Sequence, residues 1–189
     1  MHPACKFNEN TKTYLTRFYQ ILDEMILAMT GAELTGSISH NFIVQMIPHH
    51  RAAIEMSQNV LQYTHDAALQ RIAANIIAEQ TESIADMQAV LEACAGRCNT
   101  QQELALYQRR MDQIQETMFR EMGCARETNC ISADFMREMI PHHRGAVRMS
   151  ETTLQYPICP GLAPILQAIL VSQKRGIREM ECLLRRSDT

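Results

Sequence analysis

The chain has 189 residues, of which 46% are hydrophobic and 21% are charged, and this balance excludes a wholly disordered protein. The length suits one large domain or two small ones. With 18 basic and 21 acidic residues the net charge is −3, so there is no basic excess to support nucleic-acid binding. Thirteen Met and seven Cys stand out, whereas Gly (7) and Pro (6) are scarce, which favours long helices.

The sequence repeats itself. FIVQMIPHHRAAIEMSQNVLQY begins at Phe42 and FMREMIPHHRGAVRMSETTLQY begins at Phe135, an offset of 93 residues (135 − 42). The same offset pairs identical residues outside this block: Tyr14 with Tyr107, Gln80 with Gln173 and Met87 with Met180. We therefore predict two tandem repeats, residues 1–97 and 98–189, that pack as one compact domain about a pseudo-two-fold axis.

Each repeat is predicted to form three helices joined by short loops, because apolar residues recur at helical spacing and no strand pattern is present. Ser39 and Ser132 are the predicted N-caps of the second helix in each repeat, and Asp66 that of the third in the first repeat. Pro48 and Pro141 should kink the second helix. The fold class is all-α, with six helices at about residues 11–29, 39–62, 66–95, 101–122, 132–155 and 162–186.

The second helix of each repeat carries the residues that could perform chemistry. On a helical wheel, Met46, His49 and Met56 share one face, and His50 flanks it. Thioether sulfur and neutral imidazole together suit soft or borderline metals, copper(I) above all. The second repeat offers the same donors: Met139, His142, His143 and Met149.

Two further observations bear on which metal the site could bind and how its histidines are oriented. No carboxylate occupies a matching place in both repeats, since Arg148 stands opposite Glu55, and this disfavours hard-cation and di-iron sites. Gln80 and Gln173 lie within the apolar stripe of the third helix and should hydrogen-bond an imidazole N–H, thereby orienting a metal-bound histidine. These residues predict a metal-binding protein rather than an enzyme.

Two alternatives stay open. In the first, the paired histidines are hydrogen-bonded core residues of a structural or interaction bundle, and the methionines fill gaps in the core. In the second, the protein is a redox or metal-dependent enzyme, which would need an open coordination position and a polar cavity. The enzyme interpretation is weakened because no acid or base besides His is repeated.

The cysteines and the N-terminus bear on the cellular compartment. Seven is an odd number, so at least one Cys is unpaired within the chain. The first residues lack the pattern of a secretory signal, and no run of about 18 apolar residues is present. We expect a cytoplasmic protein without a membrane span and with reduced thiols, while disulfides or a metal knuckle remain alternatives.

The MIPHHRAAIEMS and MIPHHRGAVRMS segments, followed by the Gln and Met positions of the third helices, resemble the domain of unknown function 305 family. The resemblance covers nearly all of both repeats and implies a ferritin-like helical bundle. The family's copper-binding CopM-type members imply copper binding and resistance. Matched position by position, the implied ligands are Met46, His49, His50, Met56, Met139, His142, His143 and Met149.

The sequence thus predicts binding of a soft transition metal, copper(I) preferred, for sequestration or transfer. The expected partners are the metal ion and a protein that donates or accepts it. The metal's identity, the number of sites and the oligomeric state are left open by the sequence.

Overall fold

The structure is a computed structural model that describes residues 6–187. Within that range it contains no strand and six α-helices, which confirms the predicted all-α class. The helices are α1 (Glu9–Thr30), α2 (Ile38–Leu61), α3 (Ala67–Ala95), α4 (Gln101–Gly123), α5 (Ile131–Thr153) and α6 (Leu162–Ser187). In the described part of the chain, no helix is both long and apolar enough to cross a bilayer.

The helices pack in three pairs, each formed by corresponding helices of the two halves of the chain. α1 contacts α4, α2 contacts α5, and α3 contacts α6. α2 also packs against α1 and α3, and α5 against α4 and α6, so the α2–α5 pair forms the middle layer. Because neighbours cover α2 and α5 on both sides, even polar residues such as Asn41, Gln45 and Glu138 are buried on them.

The outer helices follow the predicted amphipathic pattern. On α1 the stripe Tyr14, Phe18, Ile21, Met25 and Met29 is buried, with none of the five more than 2% exposed. α2 and α5 continue through Pro48 and Pro141 without a break. The loss of one backbone hydrogen bond at each proline is therefore not sufficient to end these helices, which are packed on both sides.

Two of the predicted N-caps are wrong. Ser37 rather than Ser39 caps α2 and accepts a hydrogen bond from the His40 backbone N–H, and Cys130 precedes α5 without a side-chain cap bond. Both helices begin earlier than predicted, so Ser39 and Ser132 lie inside the first turn and bond to neighbouring segments instead. Asp66 does cap α3, as predicted, and accepts from the backbone N–H groups of Ala68 and Leu69.

A disulfide joins Cys94, near the end of α3, to Cys159, in the loop before α6, with their Cα atoms 5.2 Å apart. Ser37 donates to the Cys94 carbonyl, and the Ser39 hydroxyl accepts from the Cys159 backbone N–H, both at 2.8 Å. The expectation of reduced thiols is therefore wrong for this pair. The other described cysteines are free and exposed: Cys98, Cys124, Cys130 and Cys182.

Candidate metal centre

The predicted histidines meet where α2 packs against α5. His49 and His142 stack face to face, with ring centroids 3.6 Å apart and an interplanar angle of 26°. The His49 Nε2–H donates to the His142 carbonyl at 3.2 Å, and the His142 Nε2–H donates to the His49 carbonyl at 3.1 Å. Because a carbonyl can only accept, Nε2 carries the proton in each neutral ring and Nδ1 is the bare nitrogen.

The second histidine of each motif flanks this stacked pair. The His50 ring centroid lies 5.8 Å from that of His49, and the His143 centroid lies 5.9 Å from that of His142. The four rings therefore form one continuous row between α2 and α5. All four are fully buried, with at most 1% of each residue exposed.

The two flanking histidines, His50 and His143, have different neighbours on the layer formed by α3 and α6. His50 Nε2 lies 3.1 Å from the Ser83 hydroxyl on α3. His143 instead faces Gly176 on α6, where an added Cβ would lie only 3.0 Å from ring atoms Cδ2 and Nε2. Ser83 and Gly176 are equivalent by the 93-residue offset (176 − 83). Sequence reasoning missed both residues, although this offset would have revealed the difference.

An unusual set of buried polar atoms surrounds this row. The Nδ1 atoms of all four imidazoles are buried and have no hydrogen-bond partner. Both amide atoms of Gln80 and Oε1 of Gln173 are also buried without a partner. Buried polar atoms are normally bonded, and a bound ion is one of the few explanations for a cluster of exceptions.

The predicted hydrogen bond from Gln80 to an imidazole is not formed. His50 bonds to Ser83, which lies one turn further along α3, and this leaves the Gln80 amide free. Gln80 and Gln173 are nevertheless buried, each 2% exposed, and both line a cavity that is also lined by His50. They therefore stand beside the histidine row, without the orienting bond that the sequence predicted.

Burial sets the protonation state of the histidines. It lowers the pKa of His50 to about 3 and that of His142 to about 4, and it lowers the pKa values of His49 and His143 well below 6.5. All four rings are thus neutral at pH 7. Neutral imidazole is the form that binds metals, so no proton has to be removed before a metal is bound.

The sulfur donors lie on the same two helices. Met46 and Met56 on α2, and Met139 and Met149 on α5, are buried with at most 1% of each residue exposed. Within residues 6–187, no three His, Cys, Asp or Glu side chains form a group that could hold a metal ion by themselves. Helices α2 and α5 contain no Cys, so their sulfur donors are thioethers, and thioether together with imidazole is the combination that suits soft metals.

Residues 39–184 match the family described as domain of unknown function (DUF305). No curated protein matches the chain. A solved DUF305 fragment from Deinococcus radiodurans is 25% identical and superimposes with a TM-score of 0.57 over 79% of this chain and 96% of the other.

Two further solved structures are of CopM. One is described as Ag-bound by soaking and the other as Cu(II)-bound. Each is 25% identical to this chain with a TM-score of 0.58, and each alignment covers 78% of this chain and at least 95% of CopM. The family match spans well over half of the sequence, and the chain therefore belongs to the DUF305 family.

Proposed function

We propose that this protein binds a soft transition-metal ion, copper(I) in preference, at the histidine row between α2 and α5. It holds the ion for sequestration or for transfer to a partner protein and does not catalyse a reaction. The observation that carries the proposal is the row of four buried, neutral imidazoles whose Nδ1 atoms have no partner. Buried thioethers on the same helices supply the soft donors that copper(I) prefers.

The CopM structures support the choice of metal. They are described as holding Ag and Cu(II), respectively. Silver(I) and copper(I) share a preference for soft ligands, so a bundle similar to CopM that presents thioether and imidazole is a reasonable host for copper(I). Other transition metals remain candidates that the same titration can compare.

The direct test is an anaerobic copper(I) titration against a coloured competing chelator. All cysteines outside the disulfide must be alkylated first, including the four exposed ones within residues 6–187, because free cysteines also bind soft metals. We expect the parent to take copper(I) from the chelator. A variant with the four histidines of the row changed to Ala should lose this capacity, whereas the matched control His40→Ala with His65→Ala should keep it. Equal binding by all three proteins would refute the assignment.

A more conservative variant distinguishes the loss of metal ligands from the loss of the folded structure. Met46→Leu with Met139→Leu keeps the side-chain volume and apolar character of the core, so its cost in stability should stay below about 1.5 kcal/mol per site. It removes two sulfur atoms, and we expect it to weaken copper(I) binding at least tenfold. Unchanged affinity in this folded variant would exclude these two sulfurs as ligands.

One observation favours a structural role instead. The reciprocal bonds from the rings of His49 and His142 to each other's carbonyls tie α2 to α5 without any metal. If the protein binds metal, added metal should raise its melting temperature. At a free metal concentration 100 times the dissociation constant, the free energy of unfolding should rise by about 2.7 kcal/mol. A purely structural bundle should show no such rise, while the His49→Ala variant would still be destabilised.

A further inference from the structure

A groove runs between α3 and α6 and connects the surface to the histidine row. It encloses a cavity of about 180 Å³. Its inner wall contains His50, Gln80 and Gln173, each at most 2% exposed, and its outer wall contains the exposed side chains of Glu82 and Asp86. We call this the α3–α6 groove. Its volume is large enough for several water molecules, and the buried imidazole of His50 forms part of its lining.

The mouth of the groove is negatively charged. Glu79, Glu82 and Asp86 line it, spaced at three and four residues along one face of α3. Glu79 forms an ion pair with Arg175 on α6. Glu82 and Asp86 pair with no cation among residues 6–187, so their charges are available to a cation from solution.

The inner wall of the groove provides an independent sign of a ligand. Gln80 is 98% buried, and neither its amide nitrogen nor its oxygen has a hydrogen-bond partner. Gln173 contributes a second unpartnered amide oxygen to the same wall. Uncharged oxygen donors between an acidic mouth and a buried imidazole allow a cation to exchange its water molecules stepwise as it moves inward.

Among residues 6–187, the cavity that reaches His143 is much smaller than the α3–α6 groove. A second cavity beside His143 has a volume of only about 10 Å³, which holds one water molecule at most. Arg175 lines it and replaces the acid found at Glu82, its equivalent by the 93-residue offset (175 − 82). Arg175 lines the cavity beside His143 and neutralises Glu79 there, whereas the groove beside His50 is lined by acids and by no Lys or Arg of the described chain.

We propose that the α3–α6 groove is the entrance through which a copper-type cation reaches the histidine row, and that Glu82 and Asp86 capture the cation at its mouth. This inference rests on the proposed metal binding. It adds the route by which the cation enters and the residues that control the rate of metal association. Electrostatic capture raises the association rate more than the final affinity, and salt screens it.

The test compares association rates in the thiol-alkylated protein. Copper(I) in acetonitrile is mixed rapidly with protein, and unbound metal is trapped at set times with a coloured chelator. Glu82→Gln with Asp86→Asn should slow binding about three- to tenfold at low ionic strength, with the difference shrinking at 0.5 M salt. The amount of metal bound at equilibrium should not change. Asp23→Asn with Glu116→Gln, on α1 and α4, removes the same charge elsewhere and should leave the rate as in the parent.

A second variant tests the route without altering charge. Ala168 is an exposed residue of α6 that lines the groove, so Ala168→Trp should obstruct it and slow both uptake and release, about tenfold or more. Parent-like rates in both groove variants would overturn the entrance while leaving metal binding intact. A parent that takes up no copper(I) would instead overturn the proposed function, so the two failures are distinguishable.

Discussion

Glu138 gives the sharpest test of how burial acts in this bundle. It lies on α5, is 2% exposed and accepts a hydrogen bond from the Tyr14 hydroxyl of α1. Burial raises the pKa of this carboxyl from 4.5 to about 8, and the nearby carboxylate of Asp134 adds to the rise, while the bond from Tyr14 opposes it. Glu138 is therefore protonated and neutral at pH 7.

The raised pKa makes stability depend on pH with a definite sign. Below pH 4.5 the carboxyl is protonated in both the folded and the unfolded chain, and its contribution is fully present. Between pH 4.5 and 8 only the folded state keeps the proton, so this carboxyl's contribution to the free energy of unfolding falls by about 1.4 kcal/mol per pH unit. Between pH 5 and 8 the loss reaches roughly 3 to 4 kcal/mol at most.

Glu138→Gln removes this dependence, because an amide does not titrate. The chain already accepts glutamine at the equivalent position, Gln45, where the side chain donates to the Met29 carbonyl at 3.4 Å. In urea unfolding followed by circular dichroism, we expect the variant to match the parent near pH 5 and to exceed its stability at pH 8.

Other groups titrate equally in both proteins and cancel in the difference. The reverse change, Gln45→Glu, should introduce a decline of the same sign. If the difference in stability between Glu138→Gln and the parent were the same at pH 5 and at pH 8, the reasoning would be refuted.

Three further predictions concern stability. Gly145→Ala should lower the free energy of unfolding by about 1–3 kcal/mol, because the new Cβ would lie 2.1 Å from the Met118 sulfur. The control Gly36→Ala, whose new Cβ would have no atom within 4 Å, should leave the melting temperature unchanged. The double variant Cys94→Ser with Cys159→Ser should lower the free energy of unfolding by about 4 kcal/mol, because the disulfide closes a loop with a sequence separation of 65 residues. If a reducing agent left the stability of the parent unchanged, this prediction would be contradicted. The metal-free protein should lose stability as the pH falls from 6.5 towards 4, because burial lowers the pKa of all four histidines in the row, so the unfolded chain binds protons first. The measurement is made in the Glu138→Gln variant, where the opposing titration of Glu138 is absent. Equal stability of that metal-free variant at pH 7 and pH 4.5 would contradict the prediction.

The helices and the buried motif were predictable from sequence because both follow from local periodicity. The spacing of Met46, His49 and Met56 places them on one face whatever the helix packs against, and the structure buries all three. The repeat predicted that the two halves pack together, but not which helices meet, so the contact of α2 with α5 came from the structure.

The rest depended on contacts between distant residues. The bonds between His49 and the His142 carbonyl require the register of two helices, which periodicity does not specify. The disulfide joins residues 65 positions apart, and spacing rules detect only cysteines that are close in sequence. Ser39 looked like a cap because serine favours that position, but its hydroxyl bonds to the loop that carries Cys159.

The different neighbours of His50 and His143 have a consequence for how such a protein can be altered. In a dimer of identical three-helix subunits, any substitution changes both halves at once. Here both halves occupy one polypeptide, so Ser83 and Gly176 can vary independently. A substitution at Ser83 can therefore change the surroundings of His50, and one at Gly176 those of His143, without altering the other half of the molecule.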